Sequence, residues 1–95
     1  MTVEVRLRPE AEQDLAEAAR WYEEQWPGLG LEFLDEASAT FSAIAERPLA
    51  SAVVLRRALL HRFPFGVFFL VDGDGAVVIG VLNGSRHPRR WKSRL

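Results

Sequence analysis

From Ala11 to Ile44 the apolar residues of this chain repeat with a helical period and from Val53 onward with a strand period, and few folds accommodate that switch. Ala11, Leu15, Ala18, Ala19, Tyr22 and Trp26 recur at helical spacing, while Glu10, Glu17, Arg20, Glu23 and Glu24 occupy the other side. Pro9 stands where a first helical residue loses nothing by lacking an N–H. Glu10, Glu12 and Asp14 put negative charge near the positive end of the helix dipole. The spacing predicts a helix from Pro9 that ends at Trp26-Pro27-Gly28. A second stripe, Leu31, Leu34, Ala37, Phe41 and Ile44, widened by Phe33, predicts another helix closed by Arg47 and Pro48. With only Pro27-Gly28-Leu29-Gly30 between them, the two helices form an antiparallel hairpin.

Ahead of the first helix, Val3, Val5 and Leu7 alternate with Thr2, Glu4 and Arg6, the pattern of a half-buried strand over Met1 to Leu7. Beyond Pro48, the runs Val53 to Leu60, Phe65 to Val71 and Ala76 to Leu82 are rich in Val, Phe and Leu and read as three further strands. Asp72-Gly73-Asp74-Gly75 supplies hairpin chemistry between the last two, and His61-Arg62-Phe63-Pro64 connects the first two. The fold class is α+β in the order β-α-α-β-β-β, a helical hairpin packed on one face of a small antiparallel sheet. At 95 residues, the chain is one domain over 1–95 with room for a single core.

Chemistry is narrowed by what the chain contains. It has no Cys and two His, so a disulfide framework and thiolate zinc are excluded, and neither metal nor cofactor is expected. No signal-peptide pattern or apolar span opens the sequence, which points to a soluble, cytoplasmic protein without a membrane partner. The formal charge of −1 hides a strong polarity. Residues 1–50 hold eleven acids against four bases, net −7, and residues 51–95 hold eight bases against two acids, net +6. Eleven of the twelve bases are Arg, whose planar fork suits anions and rings. Asp72-Gly73-Asp74-Gly75 begins like a calcium loop, but Ile79 and Leu82 follow where later oxygen ligands would be needed. Asn83-Gly84-Ser85 fits a glycosylation sequon, which has no meaning for a chain that stays in the cytoplasm.

The opening Val3-Glu4-Val5-Arg6-Leu7 with Pro9-Glu10-Ala11-Glu12-Gln13-Asp14-Leu15, the Trp21-Tyr22 pair, Arg62-Phe63-Pro64-Phe65-Gly66-Val67 and the closing Arg86-His87-Pro88-Arg89-Arg90-Trp91 occur in a telling order. Together they resemble the ParE/RelE superfamily of bacterial toxins from type II toxin–antitoxin pairs, over nearly the whole chain. The resemblance implies a toxin held inactive by a cognate antitoxin in a hetero-oligomer. It also implies one of two targets. RelE-like members cut messenger RNA on the ribosome, and ParE-like members poison DNA gyrase.

Metal-free RNA cleavage needs a proton acceptor, a stabiliser for the phosphorane and a proton donor for the leaving oxygen. Arg56, Arg57 and Arg62, with Arg86, are candidates to converge on a phosphate in the second role, and Arg56, Arg62 and Arg86 would form the catalytic set with His87 for proton transfer. Where many nuclease members carry His before the Gly that closes the last strand, this chain has Asn83, and Arg90 replaces a Tyr that some carry beside the closing Trp. His87 occupies the family's usual Asp position, and strand alternation would turn it away from Arg86; His61 is the other imidazole. A sequence pI of about 6.1 also lacks the basic excess that docking on ribosomal phosphate favours. The ParE-like reading therefore leads: binding to gyrase with no catalytic residue, through Arg56, Arg57, Arg62, Arg86, Arg89, Arg90 and Trp91. Phe68 and Leu70, on the strand face turned away from Phe65, Val67 and Phe69, are candidates to meet antitoxin together with Trp91, buried only in that complex; a homodimer or the chain's own tail over that face is the other reading. The alternatives are the ribosome-dependent nuclease and a relative that binds antitoxin without being toxic. Trp21, Tyr22 and Trp26 are expected in the core.

Overall fold

The computed structural model describes residues 4–46, 50–73 and 75–83. Six elements follow in the expected order: β1 (Glu4–Leu7), α1 (Pro9–Gln25), α2 (Leu29–Ala45), β2 (Ala50–Leu59), β3 (Phe65–Gly73) and β4 (Gly75–Asn83). Pro9 opens α1, with Glu10 and Glu12 in its first turn. The sheet runs β1-β4-β3-β2. It is antiparallel across β2, β3 and β4, and β1 adds to the free edge of β4 in parallel, so the sheet is mixed. A parallel edge needs a long crossover, and the helical hairpin between β1 and the meander supplies it.

The helices cover one sheet face. Phe33 and Ile44 of α2 and Ala11, Ala18 and Ala19 of α1 meet Val67, Phe69, Val71, Ala76, Val78 and Val81, with Val5 and Leu7 of β1 packed beside them. Each fully buried large side chain here contributes roughly 1.5–3 kcal/mol relative to an exposed one. Strand β4 reaches this arrangement through a bulge. Phe68 pairs with Gly80 and Phe69 with Val78, so the register shifts by one residue at Ile79. Alternation is thereby reset, so that Val78 and Val81 both face the helices while Ile79 and Leu82 face away.

Two features of the hairpin depart from the sequence pattern. The buried face of α2 is Gly30, Phe33, Ala37 and Ile44, whereas Leu31 and Leu34 are exposed. Gly30 turns the helix this way, because a Cβ there would lie 2.4 Å from the Ala19 carbonyl oxygen. The side without a side chain is the side that packs on α1. Trp21 and Trp26, expected in the core, are also exposed, at 56% and 69%. Trp26 has already left the helix with extended backbone angles, so its place at the end of the stripe no longer points inward.

Candidate functional site

The connection between the helices is built on one carboxylate. Glu23 accepts the Gly28 N–H on both oxygens, at 3.1 and 2.9 Å, and the Gly30 N–H on Oε1 at 3.0 Å. A negative group thereby occupies the start of α2, where backbone donors lack helical acceptors. Gly28 makes the turn at φ 89°, a left-handed angle that side chains disfavour.

A second carboxylate fixes the β2–β3 connection. Oε1 of Glu36 accepts the backbone N–H of His61 and, at 2.9 Å, that of Arg62. Arg62 also donates through Nη2 to Glu32 at 2.9 Å, and its guanidinium lies 5.5 Å from the centre of the Phe63 ring. One turn of α2 therefore anchors the whole connection. Behind it, Tyr22 sits among Phe33, Phe63 and Phe65, with ring centres 5.3, 4.7 and 6.0 Å away, and carries Trp21 edge-on at 5.1 Å. Burial against these rings pushes the Tyr22 phenol above its ordinary value.

Asp14 is the third carboxylate with a defined task. Instead of serving the first turn of α1, it reaches across to β4, where its Oδ2 accepts the Val81 N–H at 3.1 Å. β1 ends opposite Val78, and Asp14 supplies an acceptor further along the same edge. Beside this bond lies a cleft of about 390 Å³ lined by Asp14, Glu17, Trp21, Tyr22, Pro64, Phe65 and Asn83, among others. Its described lining brings together two carboxylates, a phenol and an amide, and no cation.

The arginines do not gather there. Arg56 pairs with Phe69 and Arg57 with Phe68, residues on opposite faces of β3, so the two adjacent guanidinium groups start from opposite sides of the sheet. The Arg57 stem lies over Gly66, where a Cβ would be 3.3 Å from its Cγ. Arg62 is engaged with Glu32 as described. The expected convergence of Arg56, Arg57 and Arg62 on one phosphate is thus not formed by these three. Arg86, His87, Arg89, Arg90 and Trp91 lie outside the described residues. Phe68 is already buried within the single chain, at 7% exposure, which corrects the expectation that only a complex would cover it; Leu70 is half-buried. Among the described residues, no group of three His, Asp or Glu side chains is placed to hold a metal ion, and no helix is long and apolar enough to cross a membrane.

The sequence pattern places Glu17 and Glu23 on the polar side of the first helix, makes Asp14 a helix-dipole partner and gives Glu36 no role. No periodicity marks Asp14, Glu23 and Glu36 as acceptors, because the backbone N–H groups they meet are brought near by the tertiary fold.

Both the element order and the motifs can be compared with known proteins. A family model described as the ParE toxin of type II toxin-antitoxin system, parDE, matches residues 5–88. The chain belongs to the ParE toxin family. Among solved structures, it is similar to one described as the chromosomal ParDE TA system from P. aeruginosa, with 17% identity and a TM-score of 0.68. That alignment covers 86% of this chain and 96% of the other, so the ParE fold is shared along almost its full length. Comparison with curated proteins finds no match.

Proposed function

We propose that this ParE family member is the toxin of a type II toxin–antitoxin pair, neutralised in the cytoplasm by a cognate antitoxin, and that it acts by binding and poisoning DNA gyrase without chemistry of its own. The observation that carries this reading is the cleft beside β4. Asn83, at the position where nuclease relatives have His, lines it next to Asp14 and Glu17. An amide does not exchange protons near neutral pH, and two carboxylates repel a phosphodiester. The same edge that would have to activate a 2′-OH is therefore suited to a polar or cationic protein surface. The proposed contact residues are Arg56, Arg57, Arg62, Arg86, Arg89, Arg90 and Trp91, with Phe68, Leu70 and Trp91 toward the antitoxin.

Pulse incorporation of labelled thymidine and labelled amino acid in the first minutes after induction, without antitoxin, tests the target. DNA synthesis is expected to fall first, and purified chain is expected to block supercoiling by gyrase. Protein synthesis falling first would overturn the reading in favour of the nuclease. Undisturbed growth, with antitoxin still bound, would make the chain a non-toxic relative.

A further inference from the structure

β2 closes one side of the sheet, with β3 along its inner edge and, among the described residues, no strand along its outer one. A single bond fixes which of its backbone groups face outward. The Leu60 N–H donates to the Phe65 carbonyl oxygen at 2.9 Å, so Leu60 points its peptide groups toward β3. Successive residues of a strand turn these groups to opposite edges, and the pairing with β3 runs without interruption from Leu59 back to Val54. Ala58 and Arg56 therefore bond to β3, whereas Leu55, Arg57 and Leu59 direct both N–H and C=O outward. Pro and Lys, which often blunt such an edge, do not occur in Ala50–Leu59.

The side chains of the same three residues share the sheet face away from the helices. Leu55 packs on the cluster of Phe68, Ile79 and Leu82. Arg57 and Leu59 flank Gly66, where an added Cβ would lie 3.3 Å from Cγ of Arg57 and 3.4 Å from Cδ2 of Leu59. Arg57 is exposed, and Leu59 is exposed at 56%. The outer edge thus presents outward-facing backbone groups with apolar, cationic and apolar side chains in alternation.

This pattern selects the occupant. Residues directly opposite on neighbouring strands lie close enough to interact, so a carboxylate opposite Arg57 and apolar side chains opposite Leu55 and Leu59 make the matching set. A second copy of β2 offers no carboxylate, since Ala50–Leu59 contains none, and pairing centred on Arg57 or on Arg56 would set like charges directly opposite. We propose that the outer edge of β2 takes up an extended segment of a partner protein as an additional antiparallel strand, a segment in which an acidic residue stands between two apolar ones at alternate positions. Its main chain bonds to Leu55, Arg57 and Leu59, and its carboxylate pairs with the Arg57 guanidinium. Arg57 is also one of the gyrase contacts proposed above, but the edge does not require gyrase as its partner.

The probe is the blocked peptide Thr-Val-Thr-Glu-Thr-Val-Thr, titrated into isotope-labelled chain with neither gyrase nor antitoxin present, so that its failure is separate from failure of the gyrase reading. Saturable shifts and slowed hydrogen exchange are expected at the Leu55, Arg57 and Leu59 amides. The same peptide with Lys in place of Glu is expected to bind at least about threefold more weakly, and Arg57→Glu to invert that order. N-methylation of the Glu and both Val blocks the ladder and is expected to abolish binding, while N-methylation of the two inner Thr, whose N–H groups point away from β2, leaves it intact. Equal binding of the Glu and Lys peptides, equal binding of the two methylated forms, or no saturable shift at millimolar peptide would overturn the proposal. So would protection of the three amides that grows with chain concentration before any peptide is added, which would make a second copy the occupant.

Discussion

Gly30 and Gly28 lie two residues apart and are needed for different reasons. At Gly30 the obstacle is contact, since an added Cβ meets the Ala19 carbonyl oxygen at 2.4 Å. Gly30→Ala must push the helices apart, and overpacking of this kind costs about 1–3 kcal/mol in urea unfolding. At Gly28 nothing lies within 4 Å of an added Cβ, and the cost comes from φ 89° alone. Gly28→Ala is expected to lose about 1–2 kcal/mol, and unlike Gly30→Ala it leaves the distance between α1 and α2 unchanged. Tyr22 gives a second prediction at this scale. Its phenol is held above the ordinary 10.0 by burial, so the unfolded chain loses its proton first as pH rises. Between the two values the folded state binds more protons, and stability falls with increasing pH. Urea midpoints measured upward from pH 9 should decline more steeply for the native chain than for Tyr22→Phe.

Elements are held in place by carboxylates that reach from one element to the backbone of another. Asp14 ties α1 to β4 at Val81, and Glu36 ties α2 to the start of the β2–β3 connection. Asp14→Ala is expected to speed hydrogen exchange at the Val81 amide, and Glu36→Ala at the His61 and Arg62 amides, with the other element left protected. Equal acceleration throughout the sheet would show instead that the carboxylates stabilise the fold globally. These ties also explain what was legible beforehand. Pro9, the Val- and Phe-rich run Phe65 to Val71 and the Asp72-Gly73-Asp74-Gly75 turn chemistry express local rules, and the helix and the two strands they imply are present. Leu31 and Leu34 misled because both match the helical period, and only the close approach at Gly30 decides which apolar side faces inward. The Ile79 bulge and the parallel edge were invisible for a related reason. Register and strand order are set by partners far away in sequence. The cleft was legible only at Asn83, because Asp14, Glu17 and Trp21 come from a helix whose rotation toward β4 follows from packing.

At the scale of the whole molecule, the acidic helices lie on one side of a sheet whose strand β2, with the connection that follows it, carries the described arginines of the second half. Where the two meet, Arg62 is bound to Glu32, an exposed pair worth at most about 1 kcal/mol. Arg56 and Arg57 are exposed on an outer strand, with no ion pair among the described residues, and they separate the two faces as candidate target surfaces. Arg57 lies with Phe68 and Leu70 on the face away from the helices, its stem supported by Gly66, whereas Arg56 starts from the helix side. A target that docks on the outer face loses an anchoring guanidinium with Arg57→Ala, and anchors of this type cost about 2 kcal/mol or more, roughly thirtyfold in affinity. The concentration of Arg57→Ala chain that halves gyrase supercoiling should therefore rise at least about tenfold, and that of Arg56→Ala by less than about threefold. Both substitutions are at exposed positions, so unchanged urea midpoints are expected to accompany either result. The reverse order of effects would place the target on the helix side, where the acidic surface of α1 and α2 would then have to select a cationic partner.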